Sequence, residues 1–482
     1  MKIVGRKTEL SYLKQKIESK KAEFIAVTGR RRIGKTFLIR QFADTGTFFE
    51  VMGEKDAGLQ LQLASFYQKL KPLLKSDLPI KEPTSWREAF ALLTAFINVQ
   101  NKNKPLIIFI DELPWLATPK SGLIQALDYY WNSEWSKINH LTLIVCGSAS
   151  SWVREKLINA KGGLYNRITG TIHLQPLNLR EAKLYMKAKG LSFNDQNMIE
   201  AYMVVGGVPF YLDQLLKSKS LAQNISSLCF SETGLLFSEY DRLFKSLFGE
   251  DSIYENLVAA IASKRYGISR SELIKLLKIK SGGYLSKYLN DLEASGFIQI
   301  FTPFQNKKKD YLIRVTDEYT LFYLHWIKPF AIEPLNIKNT NYWQNSYQKP
   351  TYNSWVGLAF EALCLKHSDE IIKALALEGL VKNISFNWFA KGNKMINGAQ
   401  ADLIFDRTDG VINLCEIKFS NNPFLVDKEM AKNLLNKLEV FKKNVALKKE
   451  IHLTLITANG LKTNPWSEEL LNSHIDIPSI MN

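Results

Sequence analysis

Residues 24–36, FIAVTGRRRIGKT, constrain this chain more than any other stretch. Phe24 to Val27 are apolar and partly β-branched, which predicts a buried strand. The strand runs into Gly29, then a four-residue loop (Arg30, Arg31, Arg32, Ile33), then Gly34-Lys35-Thr36, and Phe37 opens FLIRQF in helical rhythm. Strand, glycine-rich loop and helix N-terminus in that order are what a phosphate cradle requires. Glycine lets backbone N–H groups turn inward, and the positive end of the helix dipole meets the anion. Gly29 through Phe37 are therefore the expected nucleotide-binding set. Lys35 is placed to reach the β- and γ-phosphates, and the Thr36 hydroxyl is an expected ligand for Mg²⁺. The expectation is a nucleoside triphosphate site.

At 482 residues the chain has room for about three domains. A formal charge of +16 points to a polyanionic partner, nucleic acid first, although basic composition also serves solubility. Cys146, Cys229, Cys364 and Cys415 lack metal spacing and sit beside apolar residues, so they read as buried thiols in a reducing compartment. MKIVGRKTEL holds no signal-peptide core, and no apolar run approaches the roughly 18 residues of a membrane span. A cytoplasmic protein without a membrane partner is expected.

VGRKTELSYLKQKIES predicts an amphipathic helix carrying Leu10, Leu13 and Ile17, and residues 48–75 read as mostly helical. LIIFIDE is an apolar strand ending in Asp111-Glu112. Chemistry in a parallel sheet gathers at the carboxyl ends of strands, which brings this acidic pair toward the phosphate loop. Asp111 is expected to hold Mg²⁺ and Glu112 to orient or deprotonate the attacking water. LTLIVCGSAS predicts a further strand, at whose end Ser148 either senses the γ-phosphate or simply turns the chain. Arg167, in the polar stretch GGLYNRITGTIHLQPLN, is a candidate arginine finger, with Arg154 competing. LREAKLYMKAKG and GGVPFYLDQLL suggest a helical lid broken at Gly206-Gly207 and Pro209.

Together GRRRIGKT, LIIFIDE, VCGSAS, LYNRITG and GGVPFYL resemble the archaeal-type ATPases of the AAA+/STAND-related branch of P-loop proteins, over residues 3–225. The resemblance implies an α/β fold, an αβα sandwich with a helical lid, and ATP as the nucleotide. Asn166-Arg167-Ile168 stands where the family often has two arginines, which leaves the finger assignment open.

Residues 226–330 read as a winged helix. Leu273, Leu276 and Leu277 mark one helix, Ser281 is placed to cap the next, and Leu285, Leu289 and Leu292 face its core. Phe297–Phe304 and Tyr311–Val315 are the expected wing strands around Asn306-Lys307-Lys308-Lys309. Such modules bind DNA or dock proteins. Asp291 and Glu293 in the presumed recognition helix weigh against entry into the major groove. An Asn-rich linker, AIEPLNIKNTNYWQNSYQKP, is expected to set off a last domain over residues 335–482.

In that domain ADLIFD and VINLCEIKF predict a hairpin turning at Asp409-Gly410, with Leu414, Glu416 and Lys418 on one face and Asp402 near the other end. Two acids and a lysine converging this way suit metal-dependent phosphodiester cleavage, while a salt-bridged hairpin is the plainer alternative. With Glu361 on a preceding helix, Asp402 and Glu416-Ile417-Lys418 resemble the PD-(D/E)XK nuclease superfamily, Ala401 replacing its proline. The resemblance implies a restriction-endonuclease-like α/β domain in which Glu361, Asp402 and Glu416 bind metal and Lys418 assists catalysis. The combined expectation is an ATP- and Mg²⁺-dependent switch, an ATPase that binds DNA and carries a nuclease-like effector. A nuclease-inactive regulator docking to a second copy or a partner protein is the alternative.

Overall fold

Five strands build the first of two compact units, Met1–Pro176, in a computed structural model. It describes residues 3–74, 80–148, 150–159, 164, 166–280, 282–307, 309–333, 341–347, 349–390, 398–445 and 449–481. β1 (Glu23–Thr28), β3 (Leu106–Asp111) and β4 (Leu141–Gly147) are buried at every position, as their apolar runs demand. β2 (Thr47–Met52) and β5 (Gly170–His173) close the edges. All pairings are parallel, in the order β2-β3-β4-β1-β5.

A parallel sheet needs cover on both faces, and the strand alternation supplies two cores. Phe24, Ala26, Ile108, Ile110, Leu143 and Val145 meet helices Leu59–Leu70, Trp86–Asn98 and Leu123–Ser133. Ile25, Val27, Ile107, Phe109, Ile144 and Cys146 meet helices Lys7–Ile17 and Lys35–Arg40. This is the α/β architecture expected from the sequence. One local reading is corrected. Residues 47–52 are an edge strand and not helix, because Phe49 and Val51 alternate inward against β3. The stretch holding Arg167 also runs directly into β5, which pairs with β1.

The second unit, Leu177–Asn482, has a large core with members from Leu177 to Met481 and a smaller one around Ile404, Leu414, Leu434 and Leu455. Helices Leu179–Ala188 and Asp195–Val205, read as a lid, share the large core. The chain breaks after Val205, where Gly206 has φ 64° and a Cβ on Gly207 would lie 1.8 Å from the Leu177 carbonyl oxygen. Helices Arg270–Leu277 and Gly283–Ala294 lie in the chain between β6 (Ile268–Ser269) and β7 (Ile298–Phe301), which flank β8 (Leu312–Val315) in a three-stranded antiparallel sheet. Ser281 and Lys308 lie outside the described residues.

β9 (Val381–Ala390), β10 (Ala399–Arg407) and β11 (Val411–Lys418) are antiparallel neighbours. β12 (Phe424–Leu425) pairs with β14 (Leu461–Lys462), while β13 (Glu450–Thr457) and β15 (Ser473–Asp476) extend the main sheet in parallel, giving β15-β13-β11-β10-β9. The expected hairpin turns at Gly410, whose φ is 86°. The expected linker needs correction. Of its described residues, Tyr342–Ser346 form a helix whose Trp343 is fully buried and stacks 5.4 Å from Phe230. Asn and Gln supply the polar composition, but the helix turns its aromatic side inward. Among the described residues no helix is long and apolar enough to cross a membrane. All four cysteines are buried and free.

Glu200 sits in helix Asp195–Val205, which is buried from Met198 to Val205. Burial pushes its carboxyl up from 4.5 to about 7, with a Tyr347 hydroxyl 3.5 Å away opposing the shift. The unfolded chain ionises this group first, so stability should fall as pH rises from about 4.5 to about 7 and level off above. Melting curves across that range should flatten in Glu200→Gln, and an unchanged slope would exclude Glu200 as its source.

Candidate functional site

The carboxyl ends of β1, β3 and β4 bring the phosphate-loop residues to the acidic pair. Thr28 lies opposite Gly147 in the β1–β4 register, and Asp111 closes β3 alongside. Gly29 has φ 139°, and a Cβ there would lie 2.4 Å from the Leu174 carbonyl oxygen and 2.5 Å from Ile33 Cδ1. Glycine is required at that position by space as well as conformation. Gly34, at φ 89°, has nothing within 4 Å of its Cβ position, so the backbone turn alone selects it. Ile33 is buried beneath the loop and Phe37 is 41% exposed beside it. Arg30 is turned into the interior, Arg32 takes φ 71°, and Arg31 lies 5.3 Å from the Trp115 ring.

Lys35 is buried, and its ammonium donates to the carbonyls of Gly29 (2.9 Å) and Arg30 (3.0 Å). The Thr36 hydroxyl donates to Asp111 Oδ2 at 2.5 Å. Asp111 Oδ1 accepts from the Glu112 N–H at 2.9 Å and from the Cys146 thiol. Burial, then the charge of Asp111, pushes that thiol far up, so it stays protonated and donates. Glu112 has φ 47°, uncommon for a residue with a side chain. Its Oε2 accepts from both the N–H (3.0 Å) and the hydroxyl (2.9 Å) of Ser148. Lys35, Thr36, Asp111, Glu112 and Ser148 thus share one edge of the sheet.

The profile of a family described as an ATPase domain predominantly from Archaea matches residues 3–215. Residues 3–215 are an archaeal-type ATPase domain. An uncharacterized protein of Methanocaldococcus jannaschii is 26% identical over 411 residues, 83% of each chain. An uncharacterized ATP-binding protein of the same organism is 49% identical over 41 residues, 8% of this chain and 70% of that one. Among solved structures, the Walker-type ATPase of Pyrococcus abyssi is 19% identical with a TM-score of 0.48, covering 67% of this chain and 96% of its own. The ORC2 protein of Aeropyrum pernix, in ADPNP–ADP complexes, is 14% identical with a TM-score of 0.41, covering 72% and 96%.

The ATPase domain's donors suit a nucleotide and a hard cation. Two oxygens, from Thr36 and Asp111, lie together at the mouth of an amide-lined loop, which is the chemistry Mg²⁺ and phosphate take. Arg154 and Arg167 are both exposed. The positive charge of Arg154 reaches His173, which is pushed down mainly by burial and whose Nδ1 lies 2.9 Å from the Thr28 hydroxyl. Arg6 immediately precedes helix Lys7–Ile17. It is buried at φ 59°, its Nη2 donating to the Ile33 carbonyl at 3.4 Å.

The second group of expected residues lies on β10, β11 and helix Pro350–Lys366. Asp402 and Glu416 are both buried, and Asp402 Oδ2 accepts from the Ile417 N–H at 3.1 Å. Glu416 Oε1 pairs with Lys418 at 2.8 Å, and Oε2 pairs with Lys437 of helix Lys428–Asn444. Glu361 pairs with Arg265 at 2.8 Å. Burial and the charges of Glu416 and Glu361 raise Asp402 from 3.8 to about 7. Burial also opposes ionisation of Glu416, but Lys437 and Lys418 outweigh it and hold the carboxyl low. Lys418 is pulled down by burial and raised more by Glu416. Glu361, Asp402, Glu416 and Lys418 therefore share one electrostatic neighbourhood. Among the described residues, though, no three His, Cys, Asp or Glu side chains are arranged to hold a metal ion. As arranged, Glu361 and Glu416 are paired with protein cations, and Asp402 accepts from the Ile417 N–H and the Gln400 side-chain amide. Lys437 and Arg265 escaped sequence reading because each reaches its acid from a distant segment.

Gly29→Ala should lower the melting temperature of the ATPase domain and weaken ADP binding at least ~10-fold, since a strained backbone of this kind carries ~1–3 kcal/mol. Calorimetric titration with ADP checks this, and an unchanged affinity would mean the loop does not carry the phosphates.

Proposed function

We propose that this protein is an ATP-hydrolysing switch that binds DNA and carries a nuclease-like effector domain. The Thr36–Asp111 hydrogen bond beside the Glu112–Ser148 contact carries the reading. In it, Gly29 to Phe37 wrap the phosphates and Lys35 neutralises them. Thr36 and Asp111 would hold Mg²⁺, which supplies charge neutralisation when bound. Glu112 orients the attacking water and exchanges Ser148 for it, so the Ser148 contact marks a resting position. Arg167, in cis or from a second copy, and Arg154 remain the finger candidates.

Residues 268–315 support the DNA reading. Of the acids that counted against groove entry, Asp291 is buried and accepts from the Tyr254 hydroxyl at 2.7 Å, while Glu293 is exposed and accepts from the Ile300 N–H at 3.0 Å. The start of helix Gly283–Ala294 presents exposed Tyr284, Ser286 and Lys287. Lys307 and Lys309, also exposed, lie between β7 and β8, where a wing would touch phosphates.

Glu112→Gln should retain ATP affinity and lose hydrolysis by at least ~10²-fold, whereas Lys35→Ala loses both. Wild-type DNA binding should weaken steeply with salt, and Lys307→Ala/Lys309→Ala should reduce the log–log slope by about 2. Hydrolysis intact in Glu112→Gln, or a salt slope near zero, would defeat the corresponding half of the proposal.

The two ammonium partners of Glu416 favour a second reading, a nuclease-inactive regulator that uses this domain for docking. Plasmid, linear and single-stranded DNA incubated with Mg²⁺ or Mn²⁺, with and without ATP, decide between them. Cutting that disappears in Glu416→Ala and Lys418→Ala establishes the effector. Intact ATP hydrolysis with no cutting on any substrate establishes the regulator.

A further inference from the structure

Inside the second unit a cavity of about 540 Å³ opens between β8, helix Pro350–Lys366 and the segment following helix Ile253–Ala262. Arg314 of β8 lies in its wall and is only 7% exposed. Its Nε and Nη2 donate to Gln299 Oε1 at 3.1 and 2.6 Å, and Nη2 also reaches the Leu365 carbonyl. Its guanidinium lies 4.1 Å from the centroid of the Phe386 ring. Nη1 is buried with no partner among the described residues. Every acceptor of this cation is neutral. Burial pushes the guanidinium down to about 9, with the charge of Glu361 opposing only in part.

A buried, uncompensated cation is expensive, and an anion delivered by a ligand removes most of that cost. The rest of the wall fits such a visitor. Its two acids are engaged elsewhere, Glu361 with Arg265 and Glu318 with Lys366. Lys264 and Lys328 add further positive charge. Trp355 and Leu358 supply apolar surface. Asn387, nearly fully buried at φ 53°, has no donor to its Oδ1 among the described residues. One water can satisfy an orphaned atom, but a volume this size with a mixed lining is that of a small-molecule site.

We propose that this cavity binds a small organic anion, its single oxyanion head on Arg314 Nη1, a hydrogen-bond donor toward Asn387 Oδ1 and an apolar body against Trp355 and Leu358. The cavity shares no lining residue with the nucleotide loop or with β10 and β11. It gives the second unit a ligand of its own.

The test is calorimetric titration of the full chain, with saturating ADP filling the nucleotide loop. Octanoate and phenyl phosphate serve as probes for a carboxylate and a phosphate head, and acetate and inorganic phosphate as head-only controls. At least one probe should bind one-to-one and at least ~10-fold tighter than its control, the factor that ~1.4 kcal/mol of apolar contact supplies. The preferred probe distinguishes the two kinds of head. Arg314→Lys and Leu358→Trp should each weaken binding at least ~10-fold, the first by removing the planar donor and the second by filling the cavity. Leu358 is 38% exposed, so the second variant keeps the test decisive if the first fails to fold. No binding by either probe, affinity equal to the head-only controls, or full affinity in a folded Leu358→Trp would overturn the proposal.

Discussion

The hydrogen bond from Thr36 to Asp111 joins the helix after the phosphate loop to the end of β3, and the candidate nucleotide site depends on that closure. It exists because β1 and β3 both run parallel to β4 and end at the same edge, which brings Thr36 and Asp111 together although they are 75 residues apart in the chain. Parallel strands deliver their carboxyl ends together, and helix N-termini meet them there. Cys146 and Ser148, at the end of β4, complete the edge by donating to Asp111 and Glu112. Each acid is thus held by a neighbour one strand away.

The acids of the second unit live under a different constraint. Asp402 and Glu416 are buried on adjacent antiparallel strands, and two carboxylates so placed cannot both ionise cheaply. The chain resolves this asymmetrically: Glu416 takes two lysines and stays low, and Asp402 is driven up to about 7. Arg314 shows the converse imbalance, a buried cation among neutral acceptors. Charge is distributed unevenly through this unit, and its uneven places are where chemistry or ligands are best sought.

Much of the first unit was legible in the sequence, because its strands are continuous apolar runs and its loop is a local motif. The acidic hairpin was legible for the same reason, since Gly410 and the alternation of β11 are local signals. β2 was misread because Thr47–Met52 is short and its burial comes from pairing with β3. The Asn-rich segment was misread because composition averages over faces, and Trp343 decides the packing by itself. Asp291 reads in the sequence as a surface acid, but it is buried and accepts from the Tyr254 hydroxyl, a partner 37 residues away.

The sequence by itself determined the strand–loop–helix cradle, the α/β class of the first unit and the residue types at each candidate site. These rest on periodicity, glycine conformation and helix-end chemistry, all set within a few residues along the chain. Only the tertiary structure decided that Ser148 answers Glu112, that Lys437 and Arg265 cover Glu416 and Glu361, and that Arg314 faces a cavity without a counter-anion. Those pairings join segments far apart in the chain, and their strength comes from the loss of water around them, which folding alone creates.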